Sequence, residues 1–427
     1  MSMVTEEEVT KAREIADGLR ELGLEDLDHI LGKTIFGDET VKKILFLICL
    51  LTYTDREQEN AIETGETTIG KTYNITEVLW FFPREDIQKF EGATPKSFIH
   101  DSSAIQVDAR TMQPIDWSKA PQKGDDKEKW DEWNDIRRNS AYFIDLSKKI
   151  LVFPDMPDTG LLKVLRSVLS HDGKRSIYSI AEKTKSGIRT KKVIIEGFFT
   201  CLFCTASTEL DEQEASRFFL LTPSDDKEKI KRSLDLINRK NSDPCFREWY
   251  ETEPERYALR TRVSNVKAED IQEIYIPEGL MANLKDWFIL KTRSLSVKSQ
   301  RDFPRVISIA KACAMLNWKH RDRQDKVLWC NERDIEVAKQ LYEPILQCNE
   351  YGLTPEEWEI WKTIKPHVEI GLSISEIHNL YFQSKNRPCS DKRLRGMLKN
   401  LCRAGLLREE KDGNKLKYYS VLESSDK

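Results

Sequence analysis

The sequence predicts an α/β fold: a sheet-and-helix core, then a helical region, then a small unit of three helices and a hairpin. Three observations lead there. Gly65-Glu66-Thr67-Thr68-Ile69-Gly70-Lys71-Thr72 reads G-x-x-x-x-G-K-[ST], a phosphate-binding loop that needs a strand before it and a helix after it. Short apolar runs at 142–146, 150–153 and 198–205 read as strands and share this stretch with helical patterns. From Leu284 to Leu346 the apolar spacing is helical throughout, and the pattern restarts after Tyr351-Gly352-Leu353-Thr354-Pro355.

Each residue type in the loop has a physical role. Gly65 and Gly70 lack a Cβ, so the backbone can turn sharply and present its N–H groups to phosphate. Lys71 supplies positive charge to the β and γ phosphates, and the Thr72 hydroxyl can ligate Mg²⁺. Ile75, Val78, Leu79 and Phe82 recur at helical spacing up to Pro83, so a helix begins where its N-terminus adds further positive potential. A glycine-containing surface turn is the other reading of the same residues. The strand expected before the loop, Asn60 to Thr64, carries a weak signal.

Composition narrows the class. The 427 residues suffice for two or three domains, with 39% hydrophobic and 33% charged residues. A formal net charge of -4 leaves nucleic-acid binding to local patches. Nine cysteines without paired C-x-x-C spacing suggest free thiols in a reducing, cytoplasmic compartment. Cys201 and Cys204 lie in an apolar run and read as buried packing before metal or redox chemistry. The opening residues do not read as a signal peptide and Ile44 to Leu51 is too short to span a bilayer, so neither a leader nor membrane association is expected.

In order, Thr5 to Leu22 reads as an amphipathic helix with a Thr5–Glu8 capping box, Leu24 to Leu31 as a second, and Val41 to Leu51 as a third capped by Asp38. The 101–140 stretch is polar, but Trp117, Trp130 and Trp133 argue that part of it packs on something. Tyr142 to Leu146 and Ile150 to Phe153 read as strands joined by a tight turn, the second ending in Pro154-Asp155. An acid at a strand's C-terminal end can hold Mg²⁺ through water and polarise an attacking water. Ile177–Ile180 and Lys192–Ile195 form a hairpin whose tip carries Lys183, Lys185, Arg189, Lys191 and Lys192. It reads either as a phosphate-backbone contact or as a solvated edge. Arg217 precedes an apolar run, as a plain surface charge or as an arginine reaching a neighbouring subunit. At the end of the chain, a helix begins at Pro355 and a second covers Ser375 to Phe382. The third helix, basic through Lys392, Arg393 and Arg395, leads into a hairpin around Asp412-Gly413-Asn414, a winged-helix pattern.

In this order the residues resemble the AAA+ ATPases and, within them, the minichromosome-maintenance (MCM) helicase clade, including the short MCM-like helicases of phages, plasmids and integrated mobile elements. The resemblance covers about residues 28–420. It rests on Phe36-Gly37-Asp38, the loop, an insertion within 105–141, the Ile150 to Asp155 strand, the 177–195 hairpin, the 198–207 strand, Ser216-Arg217-Phe218 and Ser299-Gln300-Arg301-Asp302-Phe303. It implies a P-loop core with a parallel sheet (56–255) after a helical lead-in (1–55), an all-helical lid (256–350) and a winged helix (351–427). It implies ATP and Mg²⁺ as cofactors, held by Gly65 to Tyr73, with Thr72 and Asp155 on the metal. Lys71, Asp155, the hydroxyl of Thr205 or Ser207, Arg217 as a finger and Arg301 as a second sensor would be catalytic. The 177–195 hairpin would track single-stranded DNA in the pore of a homo-oligomer, a hexamer, and the winged helix would hold duplex. The sequence departs from the family at Pro154, where the first acid of the acidic pair belongs. That leaves two activities open: a ring-forming replicative helicase, or an ATP-controlled replication initiator that separates no strands. The basic hairpin speaks against a protein-remodelling machine, which would carry an aromatic pore loop.

Overall fold

A computed structural model describes residues 6–421 except 66–68, 92–93, 95–97, 100–103, 158, 170–172, 185–186, 207–216, 225, 293–294, 296–298, 352, 386–388 and 413–414. Three helices open it: α1 (Glu6–Ala16), α2 (Leu24–Leu31) and α3 (Glu39–Leu50). The first ends at Ala16 rather than Leu22, and Thr5 with its expected capping box lies outside the described residues. Gly18 turns the chain there with φ +70°, and a Cβ at this position would stand 2.7 Å from the Trp318 ring. α3 is apolar nearly all round and buries nine of its residues, as a core helix must. Asp38 precedes it without capping it: its φ is 54°, and its carboxylate turns to other partners, described below.

The core follows as β1 (Ala61–Thr64), α4 (Lys71–Leu79), β2 (Ile87–Lys89), β3 (Ile105–Asp108), α5 (Lys127–Arg138), β4 (Ser140–Asp145), β5 (Ile150–Phe153) and α6 (Thr159–Leu169). It continues with β6 (Arg175–Thr184), β7 (Gly187–Glu196), β8 (Thr200–Thr205) and β9 (Phe219–Leu221). Five of these strands make a wholly parallel sheet in the order β2-β5-β8-β1-β9. β1, β5, β8 and β9 are buried at every residue, the mark of a sheet covered on both faces. Alternate residues feed two cores: Ala61, Val152, Leu202 and Cys204 pack with α3 and α4 residues, while Ile62, Phe153 and Phe203 join the opposite cluster. There Phe153 stacks between Phe90 at 5.3 Å and Phe203 at 5.0 Å.

The expected pairing of 142–146 with 150–153 does not occur. β4 pairs with β3 and, in parallel, with β7, in a separate four-stranded sheet β3-β4-β7-β6. Lys148, at φ 58°, turns the chain out of one sheet and into the other. β5, buried on both faces, needs a central parallel position that a hairpin would not supply. The insertion packs partly on itself, with Trp117 edge-on to Trp133 at 5.5 Å, while Trp117 and Trp130 both remain exposed.

Residues 227–351 hold α7 (Lys227–Ser242), α8 (Phe246–Thr252), α9 (Pro254–Ala268), β10 (Glu273–Tyr275), α10 (Glu278–Lys291), α11 (Ser299–Leu316), β11 (Arg323–Gln324), β12 (Val327–Trp329) and α12 (Glu332–Tyr351). The region is therefore not all-helical. β10, β12 and β11 form a small three-stranded sheet, because Asp325 at φ 54° reverses the chain and lets Gln272 donate to the Lys326 carbonyl at 2.9 Å. The N-terminal helices and this region share one hydrophobic core. The last unit is α13 (Pro355–Ile364), β13 (Leu372–Ser373), α14 (Ile374–Lys385), α15 (Asp391–Arg403), β14 (Leu407–Asp412) and β15 (Lys415–Ser420). Thr354 and Glu357 form the reciprocal cap of α13, with Pro355 as its first residue. Three helices and an antiparallel sheet β13-β15-β14 enclose a core around Trp361. No helix among the described residues is long and apolar enough to cross a membrane.

Arg262 on α9 is fully buried and ties the chain's beginning to the 256–350 region. It donates to the carbonyls of Leu316 (2.8 Å), Ile15 (3.1 Å) and Arg20 (2.9 Å) and to Asn317 Oδ1 (2.9 Å). Arg262→Ala strands several buried acceptors at once and is expected to cost roughly 3 kcal/mol or more of unfolding free energy. Urea denaturation measures it; a loss below about 1 kcal/mol contradicts this role for the side chain.

Candidate functional site

The site lies at the C-terminal end of the parallel sheet, where β1 runs into the loop. Gly65 (φ +140°) and Gly70 (φ +102°) occupy backbone conformations that a side chain would strain. Gly70 is the residue before α4, so Lys71 is the first helical residue and the helix N-terminus faces the loop. Lys71 Nζ donates to the Gly65 carbonyl at 2.9 Å, drawing the two ends of the loop together. Glu66, Thr67 and Thr68 lie outside the described residues. Burial pushes the Lys71 ammonium below its usual range and the nearby Arg393 guanidinium adds to this, while Asp155 opposes that shift. Thr72 Oγ1 lies 3.9 Å from Cys204 Sγ, so the expected metal-binding hydroxyl sits by the C-terminal end of the central strand β8. The two cysteines of the C-x-x-C are buried and free, in keeping with core packing.

Strand register aligns the other groups. Thr64 pairs with Thr205, and Phe153 with Phe203. Asp155, two residues beyond Phe153, is thus level with Thr205, and Thr205 with the start of the loop. Neighbouring strands are about 4.8 Å apart, so loop, hydroxyl and acid follow one another across three adjacent strands. Asp155 is exposed and Thr205 buried. Ser207 lies outside the described residues, so Thr205 is the hydroxyl whose place is seen. A Mg²⁺ ion bound through substrate phosphates needs only one or two protein oxygens. Thr72 and Asp155 fit that need, although no group of three ligand-type residues occurs among the described residues.

Two features went unseen in the sequence. The first is a cavity of about 1080 Å³ beside the loop, walled by Phe36, Ile69 and Tyr73 on one side and by Ile230, Leu234 and Ile237 of α7 on the other. It is largely apolar, Gly70 lines it, and it is large enough for the nucleoside portion of a nucleotide whose phosphates fill the loop. Its α7 residues show a helical spacing that reads simply as an amphipathic face. The second is Glu63 in β1, fully buried, with neither carboxylate oxygen hydrogen-bonded among the described residues.

The arginines lie elsewhere. Arg217 stands two residues before Phe219, which pairs with Ala61 at the start of β1. At about 3.3 Å per residue this is roughly 20 Å from the chain's own loop. Its Nη1 is buried without a hydrogen-bond partner among the described residues. Arg301 is exposed on the first turn of α11, one turn before Arg305, which lies 5.7 Å over the Phe219 ring at the same end of the sheet. The sheet thus separates both arginines from the loop that precedes α4.

In the hairpin, β6 and β7 pair from Arg175↔Glu196 to Thr184↔Gly187, which places Lys183 and Arg189 near the tip by backbone; Lys185 lies outside the described residues. Lys191 stacks over the Tyr142 ring at 4.3 Å, and Lys192 is exposed. On α15, Lys392 and Arg395 face solvent, but Arg393 departs from the expected basic face. Its guanidinium pairs with Glu356 of α13 and its side chain is only 11% exposed.

No protein-family model matches the chain, and no curated protein matches its sequence. Among solved structures it is similar to a full-length MCM homolog from Methanopyrus kandleri. The identity is 13% and the TM-score 0.39, over 79% of this chain and 61% of that one. The chain thus matches less than two thirds of that structure's length.

Glu63 gives this site a pH signature. Burial holds its carboxyl well above the usual carboxylate range; Asp38 adds to this, and Lys229 and Lys71 oppose it. A carboxyl that stays protonated in the fold but ionises in the unfolded chain contributes stability at low pH, and that stability is lost as pH rises. Glu63→Gln removes this dependence. Its unfolding free energy, measured against the unmodified chain, is expected to improve steadily between about pH 5 and pH 8. A constant difference across that range would show that Glu63 ionises in the fold.

Proposed function

We propose that this chain is an ATPase that acts on DNA as a ring-forming helicase or translocase, with Mg²⁺ and ATP as cofactors. The observation that carries the reading is the register at the sheet's C-terminal end. It sets the Gly65–Thr72 loop, the Thr205 hydroxyl and the Asp155 carboxylate on neighbouring strands at one level. Lys71 and the α4 N-terminus would bind the phosphates, the apolar cavity beside Phe36 would take the base, and Thr72 and Asp155 would hold the metal. The metal supplies charge neutralisation on the phosphate oxygens. Asp155 and Thr205 would orient water, with Pro154 in the position before Asp155.

Arg217 and Arg301 lie far from this loop in their own chain, while Arg393 of α15 is close enough for its charge to act on Lys71; on this reading Arg217 reaches the loop of another copy. A head-to-tail contact that brings the arginine end of one sheet to the loop end of the next closes into a ring when the rotation allows, a hexamer in this proposal. On this reading the β6–β7 hairpin contacts single-stranded DNA, and residues 351–427 act as a winged helix on duplex through Lys392 and Arg395. Replication of a mobile element or virus, in the cytoplasm, is the setting in which the proposal places it. Pro154 favours a second reading, an ATP-controlled initiator with slow hydrolysis and no strand separation.

Two measurements test these readings. Lys71→Ala and Arg217→Ala are each expected to lower DNA-stimulated ATP hydrolysis by on the order of a thousandfold. Mixing the two variants should restore activity, because some interfaces then combine an intact loop with an intact arginine; no recovery on mixing would refute the shared site. A forked duplex separates the helicase from the initiator. Hydrolysis stimulated by single strands without any unwinding would sink the helicase reading and leave the initiator.

A further inference from the structure

Three segments far apart in sequence meet at one ammonium group beside the loop. Lys229, on the first turn of α7, donates to Asp38 Oδ2 at 2.6 Å, to the Ser224 carbonyl at 2.7 Å and to the Ile69 carbonyl at 3.3 Å. The Asp38 side chain is fully buried and the Lys229 side chain 10% exposed. Asp38 also accepts from Asn74 Nδ2 of α4 at 2.8 Å and from the Ser224 backbone N–H. The methylene stem of Lys229 packs where a Cβ at Gly37 would stand, 3.3 Å away. Lys229 itself lines the cavity, and the next residue, Ile230, continues its α7 wall. One lysine therefore fastens that wall both to the loop backbone and, through Asp38, to the loop helix.

We propose that Lys229 is a positioning residue for nucleotide binding: it fixes α7 against the Ile69–Gly70 end of the loop and so sets the width of the cavity that receives the nucleoside. This rests on the nucleotide-binding reading of the loop. The held group is a backbone carbonyl of the loop itself, so the contact acts on loop geometry as well as on charge balance. Asp38 explains why this position takes a charged residue: a buried carboxylate needs a cation beside it.

The test is calorimetric titration of the full chain with Mg·ADP, together with steady-state hydrolysis and thermal unfolding. The variants are Lys71→Ala, Lys229→Ala, Lys229→Arg and the double variant Asp38→Asn/Lys229→Met. Lys229→Ala leaves Asp38 unpaired and can lose stability for that reason alone, so the double variant, which removes both charges, carries the decision. The clamp predicts that the double variant recovers an unfolding midpoint near that of the unmodified chain yet binds ADP roughly tenfold more weakly or worse. It also predicts that the loss falls on KM more than on kcat, and that Lys229→Arg, which keeps a cation with several donors, restores most of the affinity. A double variant that binds ADP as well as the unmodified chain, or an arginine variant as weak as the alanine, overturns the proposal. If the unmodified chain does not bind ADP, or Lys71→Ala binds it equally well, the loop reading falls and the clamp with it. If only Lys71→Ala loses binding, the clamp alone falls.

Discussion

β1 is four residues long and buried at every one of them, so its backbone groups have only the flanking strands β8 and β9 for partners. That requirement organises the core. Parallel neighbours demand crossovers of a dozen residues or more, and these place helices on both faces of the sheet. The strand's end becomes the one point where the chain leaves the ladder, and there two glycines and a helix N-terminus follow at once. The same register fixes Thr205 and Asp155 without any direct contact between them. A side chain that slipped by one residue on β5 or β8 would point to the opposite core.

The strand also carries the one group that works against it. Glu63 shares its face with Cys204 and Leu221 in the adjoining strands, yet lacks the hydrogen bonds a buried carboxyl ordinarily has. The nearby ammonium groups of Lys71 and Lys229 moderate that cost without forming ion pairs with it. The titratable groups behind the loop thus form a set: a carboxyl held neutral by burial, Glu63, the acid Asp38 and two lysines, with Asp38 and Lys229 in direct contact.

Much of this was legible in the sequence because it is local. The loop, the cap at Thr354 and the strands 150–153 and 200–205 announce themselves through residues adjacent in the chain. The strand before the loop reads weakly because a polar residue, Glu63, sits in a four-residue element. The wrong pairing of 142–146 with 150–153 came from proximity alone; the two runs belong to different sheets, and a turn of three residues does not show which. β10, β11 and β12 escaped notice because each is two or three residues long, below the length at which alternation can be counted. Asp38 was expected to cap α3, since its type and place suit a cap, but a cation on α7, almost two hundred positions later, competes for it. The cavity was invisible for the same reason: its walls come from 34–36, 69–77 and 224–250.

The loop and Arg217 occupy opposite ends of one sheet, which on the proposed reading would give each copy a donor end and an acceptor end. Copies joined in that sense, as proposed, make no two-fold axis, and an open row of n copies holds n−1 complete sites. Closing the row adds one more site without adding a subunit. The last contact is therefore worth more catalytically than any before it, and a population of incomplete arcs would always work below its subunit count.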